Sequence, residues 1–372
     1  MRIAFLGDVA LIGKYDLTKT SDAKTRLIGM AEKLKEFDYV VANLESPLTE
    51  KVNSIIPKSM HIRSSPVNIE LIQYLNIDAL SLANNHIYDF GRKGLKDTIE
   101  VLDKYGINWF GANGKHLVKT VGGEKVSFSG FCCLTTNGTG YSGKRGSGVN
   151  ALTFEKVMEQ LERDEKDNAF SVLSFHWGME HTNYPNYEHI QLAHAIAKRR
   201  DVVIHGHHPH VIQGIQRVHN SIIAYSLGNF LFDDCTSLNR RYTMRQNSEN
   251  LKSFILEITL DKGQIKDISS HGFMDSDEGL HFFDIRPELQ RISDQLMSIE
   301  NVDEYNYRRN LQFIQTLEDK FGKRDLKWLM TRLNYYSLGA YLTAIPRRKR
   351  YQKEYQKFMN EVLCNEDCTI CR

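Results

Sequence analysis

The order of local patterns along the chain predicts an α/β fold, with strands running between helices and buried on both faces. Three observations carry that expectation. Short apolar runs suited to buried strands alternate with amphipathic helical windows through the first two-thirds of the sequence. Polar clusters recur where those apolar runs stop. The final third keeps helical periodicity alone.

The alternation begins with a strand at Arg2 to Leu6, a helix over Asp22 to Glu36, a strand at Tyr39 to Asn43, a helix over Val67 to Tyr74 and a strand at Ala79 to Ala83. It continues with a helix over Arg92 to Tyr105, strands near Asn108 to Phe110 and Val126 to Cys133, and a helix over Phe154 to Asp164. Strand Ser171 to Phe175, helix Glu188 to Lys198 and strand Asp201 to His205 complete it. After His210, Val218 to Ser226 and Ser253 to Ile258 suggest pairing strands, and Asp261-Lys262-Gly263 marks a hairpin turn into Ile265 to Ile268. The loop from Thr135 to Gly148, rich in Gly, Ser, Thr and Asn, is placed to cover a site. Residues 1–285 form the main domain in this reading, and 286–372 a basic helical region ending in a cysteine-containing tail.

At 372 residues with 41% hydrophobic and 25% charged content, the chain has the make-up of a globular protein with a sizeable core, which excludes disorder. A net charge of +2 is too small for a phosphate-tracking surface, so nucleic acid is not an expected partner. The basic excess sits at the C-terminus, where residues 303–372 hold 14 Lys and Arg against 9 Asp and Glu. The opening apolar run is too short for a signal segment, and no stretch approaches the roughly 20 apolar residues of a membrane span. A cytoplasmic location, peripheral to a membrane at most, is the expectation. Six cysteines, three of them at 364, 368 and 371, do not form a disulfide framework.

Ligands of open α/β sheets collect beyond the carboxyl ends of the strands, where loops present polar side chains without interrupting the core. Five such ends here deliver oxygen and imidazole groups: Gly7-Asp8, Asn43-Leu44-Glu45, Asn84-Asn85-His86, His176-Trp177-Gly178 and Gly206-His207-His208-Pro209-His210. Mixed carboxylate, amide and imidazole donors suit one or two divalent ions such as Mn, Fe or Zn. Candidate ligands are Asp8, Glu45, Asn85, His176 and two of His207, His208 and His210. His86 has Asp89 three residues on, a carboxylate able to fix its tautomer, and is assigned as general acid. Asn43 and Asn229 are candidates for lining a substrate pocket.

These blocks, with Asn84-Asn85-His86-Ile87-Tyr88-Asp89-Phe90-Gly91 and Ser226-Leu227-Gly228-Asn229-Phe230, resemble the CapA family of capsule and poly-γ-glutamate synthesis proteins, itself similar to calcineurin-like metallophosphoesterases. The resemblance runs in order from about Arg2 to Leu260 and leaves the C-terminal third uncovered. It implies a four-layer α-β-β-α sandwich, with a C-terminal helical appendage outside it. Two positions depart from the metallophosphoesterase pattern: Ala10 stands where a His is usual, and Glu45 replaces the usual bridging Asp. The last histidine block has an extra residue, so that His207 and His208 are both open as the partner of His210.

The expected function is metal-dependent hydrolysis of a phosphoester or related linkage, with an anionic polymer or phosphoester as substrate. Two alternatives stand beside it: a non-catalytic polymer-handling or assembly factor with a vestigial metal site, and hydrolysis or transfer at amide bonds of a glutamyl polymer. Arg347 to Arg350 with Lys353, Lys357, Tyr351, Tyr355 and Phe358 offer a contact surface for an anionic membrane or polymer.

Overall fold

The first strand shows how the layers are built. In the computed structural model, which describes residues 1–136, 138–143, 147–297, 299–321 and 325–364, side chains of this strand alternate between two apolar clusters. Ile3 and Phe5 enter one, and Ala4 and Leu6 enter the other. A period of two with both faces buried is the mark of a strand covered on each side.

In chain order the strands are β1 (Arg2–Val9), β2 (Tyr39–Leu44), β3 (Ala79–Ser81), β4 (Asn108–Phe110), β5 (Leu117–Val121), β6 (Glu124–Cys132), β7 (Phe170–His176) and β8 (Val202–His207). They continue as β9 (Ile215–Val218), β10 (Ser221–Ala224), β11 (Asn229–Leu231), β12 (Cys235–Thr236), β13 (Thr243–Met244), β14 (Lys252–Asp261), β15 (Gln264–Asp275) and β16 (Leu280–Phe283). The helices are α1 (Ala23–Arg26), α2 (Ile28–Leu34), α3 (Ile69–Tyr74), α4 (Gly91–Lys104), α5 (Phe154–Lys166) and α6 (Tyr187–Arg199), then α7 (Arg286–Met297), α8 (Val302–Phe321), α9 (Leu326–Arg332) and α10 (Tyr335–Cys364).

One sheet has the order β16-β15-β14-β1-β2-β3-β4, with β11 also pairing to β1, and the other has β5-β6-β7-β8-β10-β9. Phe5, Val41, Leu256 and Ile258 of the first sheet meet Phe128, Val172, Val203 and Ile222 of the second in one cluster, so the sheets pack face to face. The outer face of the first sheet is covered by α2, α3 and α4 through Met30, Leu34, Ile72, Leu95 and Leu102. That of the second is covered by α5 and α6 through Val157, Leu161, Ile190 and Ile196. The four-layer α-β-β-α arrangement implied by the resemblance is therefore the observed one.

Differences from the sequence reading are local. The helix expected over Asp22 to Glu36 is broken into α1 and α2 at Leu27, whose ψ of 3° leaves the helical region. The expected turn at Lys262-Gly263 is present, with φ of 53° and 68°, the two positive values that a tight two-residue hairpin requires. The expected C-terminal helical region is present, and its Leu289, Ile292, Leu296 and Tyr305 are buried in the two sheet-facing clusters. No described helix is long and apolar enough to cross a membrane. Of the terminal cysteines, Cys364 closes α10, whereas Cys368 and Cys371 lie outside the described residues.

Candidate metal centre

Strand register places the polar residues side by side. Asp8 of β1 pairs with Asn43 of β2 on one side and Asn229 of β11 on the other, while His176 of β7 pairs with His207 of β8. Each sits in the last residues of its strand or, for Asn229, at the first, so five strands of two sheets meet at one edge. Gly7 permits this approach, because a Cβ there would collide with the carbonyl of Gly228. From the same edge the chain carries on to Glu45, Asn85, His86, His208 and His210. All ten residues singled out from the sequence at these strand ends thus converge, and all are buried.

Their geometry divides them. Glu45 Oε1 lies 3.9 Å from His86 Nε2, 3.8 Å from His176 Nε2 and 3.7 Å from His210 Nε2. Neither Glu45 oxygen has a hydrogen-bond partner among the described residues, and its carboxyl is fully buried. Burial, reinforced by the nearby Asp8, pushes its pKa well above the ordinary carboxylate range. A buried carboxylate in this condition is costly unless a cation or donor completes it. Ligand atoms of Glu45, His208 and His210 lie within 4.8 Å of one another, a spacing that fits a single ion between them.

Asp8 is already engaged. Its Oδ1 accepts from Asn43 Nδ2 at 2.8 Å and lies 3.2 Å from His207 Nδ1, and its Oδ2 accepts from the His208 amide at 3.1 Å. Burial works against its ionisation, yet His207, His176 and His210 hold its pKa below the ordinary value. His210 Nδ1 sits 2.9 Å from Asn229 Oδ1, and His176 Nε2 sits 2.9 Å from Asn85 Oδ1. His208 and His210 both adopt positive φ, 97° and 58°, which turns their rings toward Glu45 at a cost in backbone strain of about 1 to 3 kcal/mol each. The question left open by the extra histidine is answered by place: His208 shares the ion-sized space with His210, and His207 lies against Asp8.

A second group flanks the first. His86 Nδ1 is 2.6 Å from Asp89 Oδ2, Lys58 Nζ is 3.0 Å from Asp89 Oδ1 and 2.9 Å from His86 Nδ1, and Lys58 also donates to the Asn85 carbonyl at 2.6 Å. The Ile62 amide donates to Asp89 Oδ2 at 2.9 Å. Burial lowers the His86 pKa to about 4, opposed by Asp89, so the imidazole is neutral near pH ~7. With its Nδ1 proton directed at Asp89, Nε2 is left facing the Glu45 side.

A pocket of about 120 Å³ opens on this group, lined among others by Lys58, Asn85, His86, Glu180, His210 and Arg332. Burial raises the Glu180 pKa while His208 and His181 lower it, with a net value of about 2. Lys320 of α8 approaches His181 Nδ1 at 3.3 Å, and Arg332 of α9 stacks over Tyr242 with its guanidinium carbon 3.6 Å from the ring centre. Of the C-terminal helices, α9 thus supplies Arg332 to the pocket lining, while Lys320 of α8 lies against His181.

Sequence reasoning missed Lys58, Glu180, Lys320 and Arg332. Glu180 follows His176-Trp177-Gly178 closely enough to be found by extending that block. The three cations carry no local signal, because only the tertiary fold brings them in. Asn43 and Asn229, expected to line a substrate pocket, hydrogen-bond candidate ligands: Asn43 bridges Asp8 and Asn84, and Asn229 bridges His210 and the Asn250 carbonyl. The usual His position, Ala10, lies in an apolar cluster with Ile12, Ile62, Phe232 and Cys235 and offers no ligand.

Residues 2–234 match the family described as bacterial capsule synthesis protein PGA_cap. The chain belongs to this family. Within it, the PGA biosynthesis protein CapA of Bacillus subtilis is 30% identical over 241 residues, covering 62% of this chain and 63% of the relative. The capsule biosynthesis protein CapA of Bacillus anthracis is 30% identical over 255 residues, covering 64% and 62%. The chain thus spans less than two thirds of the length of these relatives. Among solved structures, a putative 5'-nucleotidase from Staphylococcus aureus is similar to 80% of this chain over 58% of its own, at 16% identity and a TM-score of 0.44. The family match stops within the region between β11 and β12, so the helices that supply Lys320 and Arg332 lie outside it.

Proposed function

We propose that this protein is a metal-dependent hydrolase of a phosphoester or related linkage, acting in the synthesis of an anionic surface polymer. The observation that carries the reading is Glu45: a fully buried carboxylate without a hydrogen-bond partner among the described residues, facing three imidazoles at 3.7 to 3.9 Å. Glu45, His208 and His210 would hold a divalent ion of the Mn, Fe or Zn type, with Asp8, Asn85, His176 and His207 around it. When bound, such an ion supplies Lewis acidity that acidifies water and polarises a phosphoryl oxygen.

The chain's own groups supply the rest. Asp89 fixes the His86 ring through Nδ1, so that Nε2 would take a proton from the attacking water and deliver it to the leaving oxygen, ending neutral as it began. Lys58 helps keep Asp89 ionised and, with Arg332, brings positive charge to the pocket suited to an anionic substrate. Asn43 and Asn229 orient Asp8 and His210.

The apolar setting of Ala10 favours one ion over two, and it is also the feature that favours the alternative of a non-catalytic polymer-handling factor. Metal analysis of the purified chain, then phosphodiester and phosphomonoester substrates with added Mn²⁺, separates the two. Bound divalent metal with turnover is the expected result. Protein that carries no metal and stays inert with every added divalent ion overturns the hydrolase reading.

A further inference from the structure

The C-terminal helices carry an apolar surface that the fold leaves uncovered. In α9, Leu326, Leu329, Met330 and Leu333 follow the spacing of a single helical face and are 48–73% exposed. In α10, Leu338, Tyr341, Leu342 and Ile345 repeat that spacing and are 43–69% exposed. Ile55, at 82% exposure, lies beside them, its carbonyl accepting from Tyr335 OH at 2.9 Å.

The remainder of α10 is well anchored. Tyr336 OH donates to the Ser54 carbonyl at 2.9 Å, Gly339 packs on Pro57, and Tyr355 OH donates to Gln191 Oε1 at 2.6 Å. Phe358 is buried, with its ring 5.0 Å from that of Phe154, and Tyr351 packs on the α5–α6 layer. The aromatics expected from sequence to meet a membrane or polymer, Tyr351, Tyr355 and Phe358, therefore face the protein. The face that is free lies further upstream in the same region.

Charge identifies what the free face fits. Between residues 326 and 353 the sequence has seven Lys and Arg and no Asp or Glu, and Arg348, Lys349 and Arg350 are exposed where the apolar stripe of α10 ends. A second copy of the chain would set the exposed Arg348, Lys349 and Arg350 near the same cluster of its partner. An anionic bilayer surface accepts both halves: Leu, Ile and Tyr side chains enter the headgroup boundary and the cations meet the lipid phosphates. We propose that the face formed by α9, the first half of α10 and Ile55 docks on an anionic lipid surface. Arg332, on α9, lines the pocket, so docking brings the candidate site to that surface.

Co-sedimentation of the full chain with phosphatidylcholine vesicles, with and without phosphatidylglycerol, tests this. The chain is expected to pellet with the phosphatidylglycerol vesicles and to be released by high salt. The Leu338→Glu/Leu342→Glu variant is expected to stay in the supernatant. Arg348→Ala/Lys349→Ala/Arg350→Ala should lower partitioning on the order of a hundredfold. Both variants should retain the wild-type unfolding transition, since every substituted side chain is exposed. Wild-type chain that ignores phosphatidylglycerol, or binding that survives both variants, overturns the proposal. So does a dimer, seen by light scattering, that Leu338→Glu/Leu342→Glu disperses, because a second copy would then be the occupant.

Discussion

Lys58 Nζ lies 3.0 Å from Asp89 Oδ1 with both side chains buried, and the other oxygen of that carboxylate holds His86. Removing the ammonium leaves an uncompensated charge in the interior. Lys58→Met is expected to cost about 3 to 5 kcal/mol of stability, read by chemical denaturation. A loss below about 1 kcal/mol would show that the pair behaves like a surface ion pair.

Glu45→Gln separates folding from metal uptake. The wild-type carboxylate is buried without a hydrogen-bond partner among the described residues, so the neutral amide should leave the metal-free protein at least as stable as the wild type. Added Mn²⁺ should raise the Tm of the wild type and leave the variant unmoved, because ligand binding stabilises only the state that binds. An equal rise in both would remove Glu45 from the ligand set.

His86→Asn probes the proton transfer. Its ring nitrogen Nδ1 is fixed by Asp89, and its Nε2 stands 3.9 Å from Glu45. The variant is expected to keep its metal, measured by elemental analysis, and to lose turnover by on the order of 10² to 10⁴. Metal lost along with activity would make His86 a ligand.

His189 gives the fold an acid limit away from the centre. Its ring stacks on Trp177 at 4.9 Å, and burial, helped by Arg309, lowers its pKa to about 3. The unfolded chain takes up this proton first, so stability falls as pH drops through ~6.5 and goes on falling to about 3, by about 1.4 kcal/mol per pH unit. His189→Phe keeps a ring on Trp177 and should flatten that slope in denaturation series at about pH 7, 6 and 5. An unchanged slope would place the proton uptake elsewhere.

The metal-facing half of the site was legible because strand ends are readable. Asp8, Asn43, His176 and His207 each close a strand, and strands that end together put their last residues together. Which histidine meets Glu45 was not legible, since it depends on positive φ at His208 and His210. Lys58, Lys320 and Arg332 come from segments with no motif, and only packing of α8 and α9 against the sandwich brings the last two near. Tyr351, Tyr355 and Phe358, expected to meet a membrane or polymer, lie on the side of α10 that packs on the protein. Periodicity identifies a stripe without telling which stripe the body covers.

The place of Arg332 of α9 in the pocket lining bears on how such a protein can change. Every carboxylate and imidazole of the metal centre lies within residues 8–210, whereas Lys320 and Arg332 belong to a separate stretch of chain. On the proposed function, ion binding and the lining of the pocket would then be encoded in different places. Helices exchanged or lost after the sandwich would alter what the pocket admits while leaving the ion-binding cradle as it was.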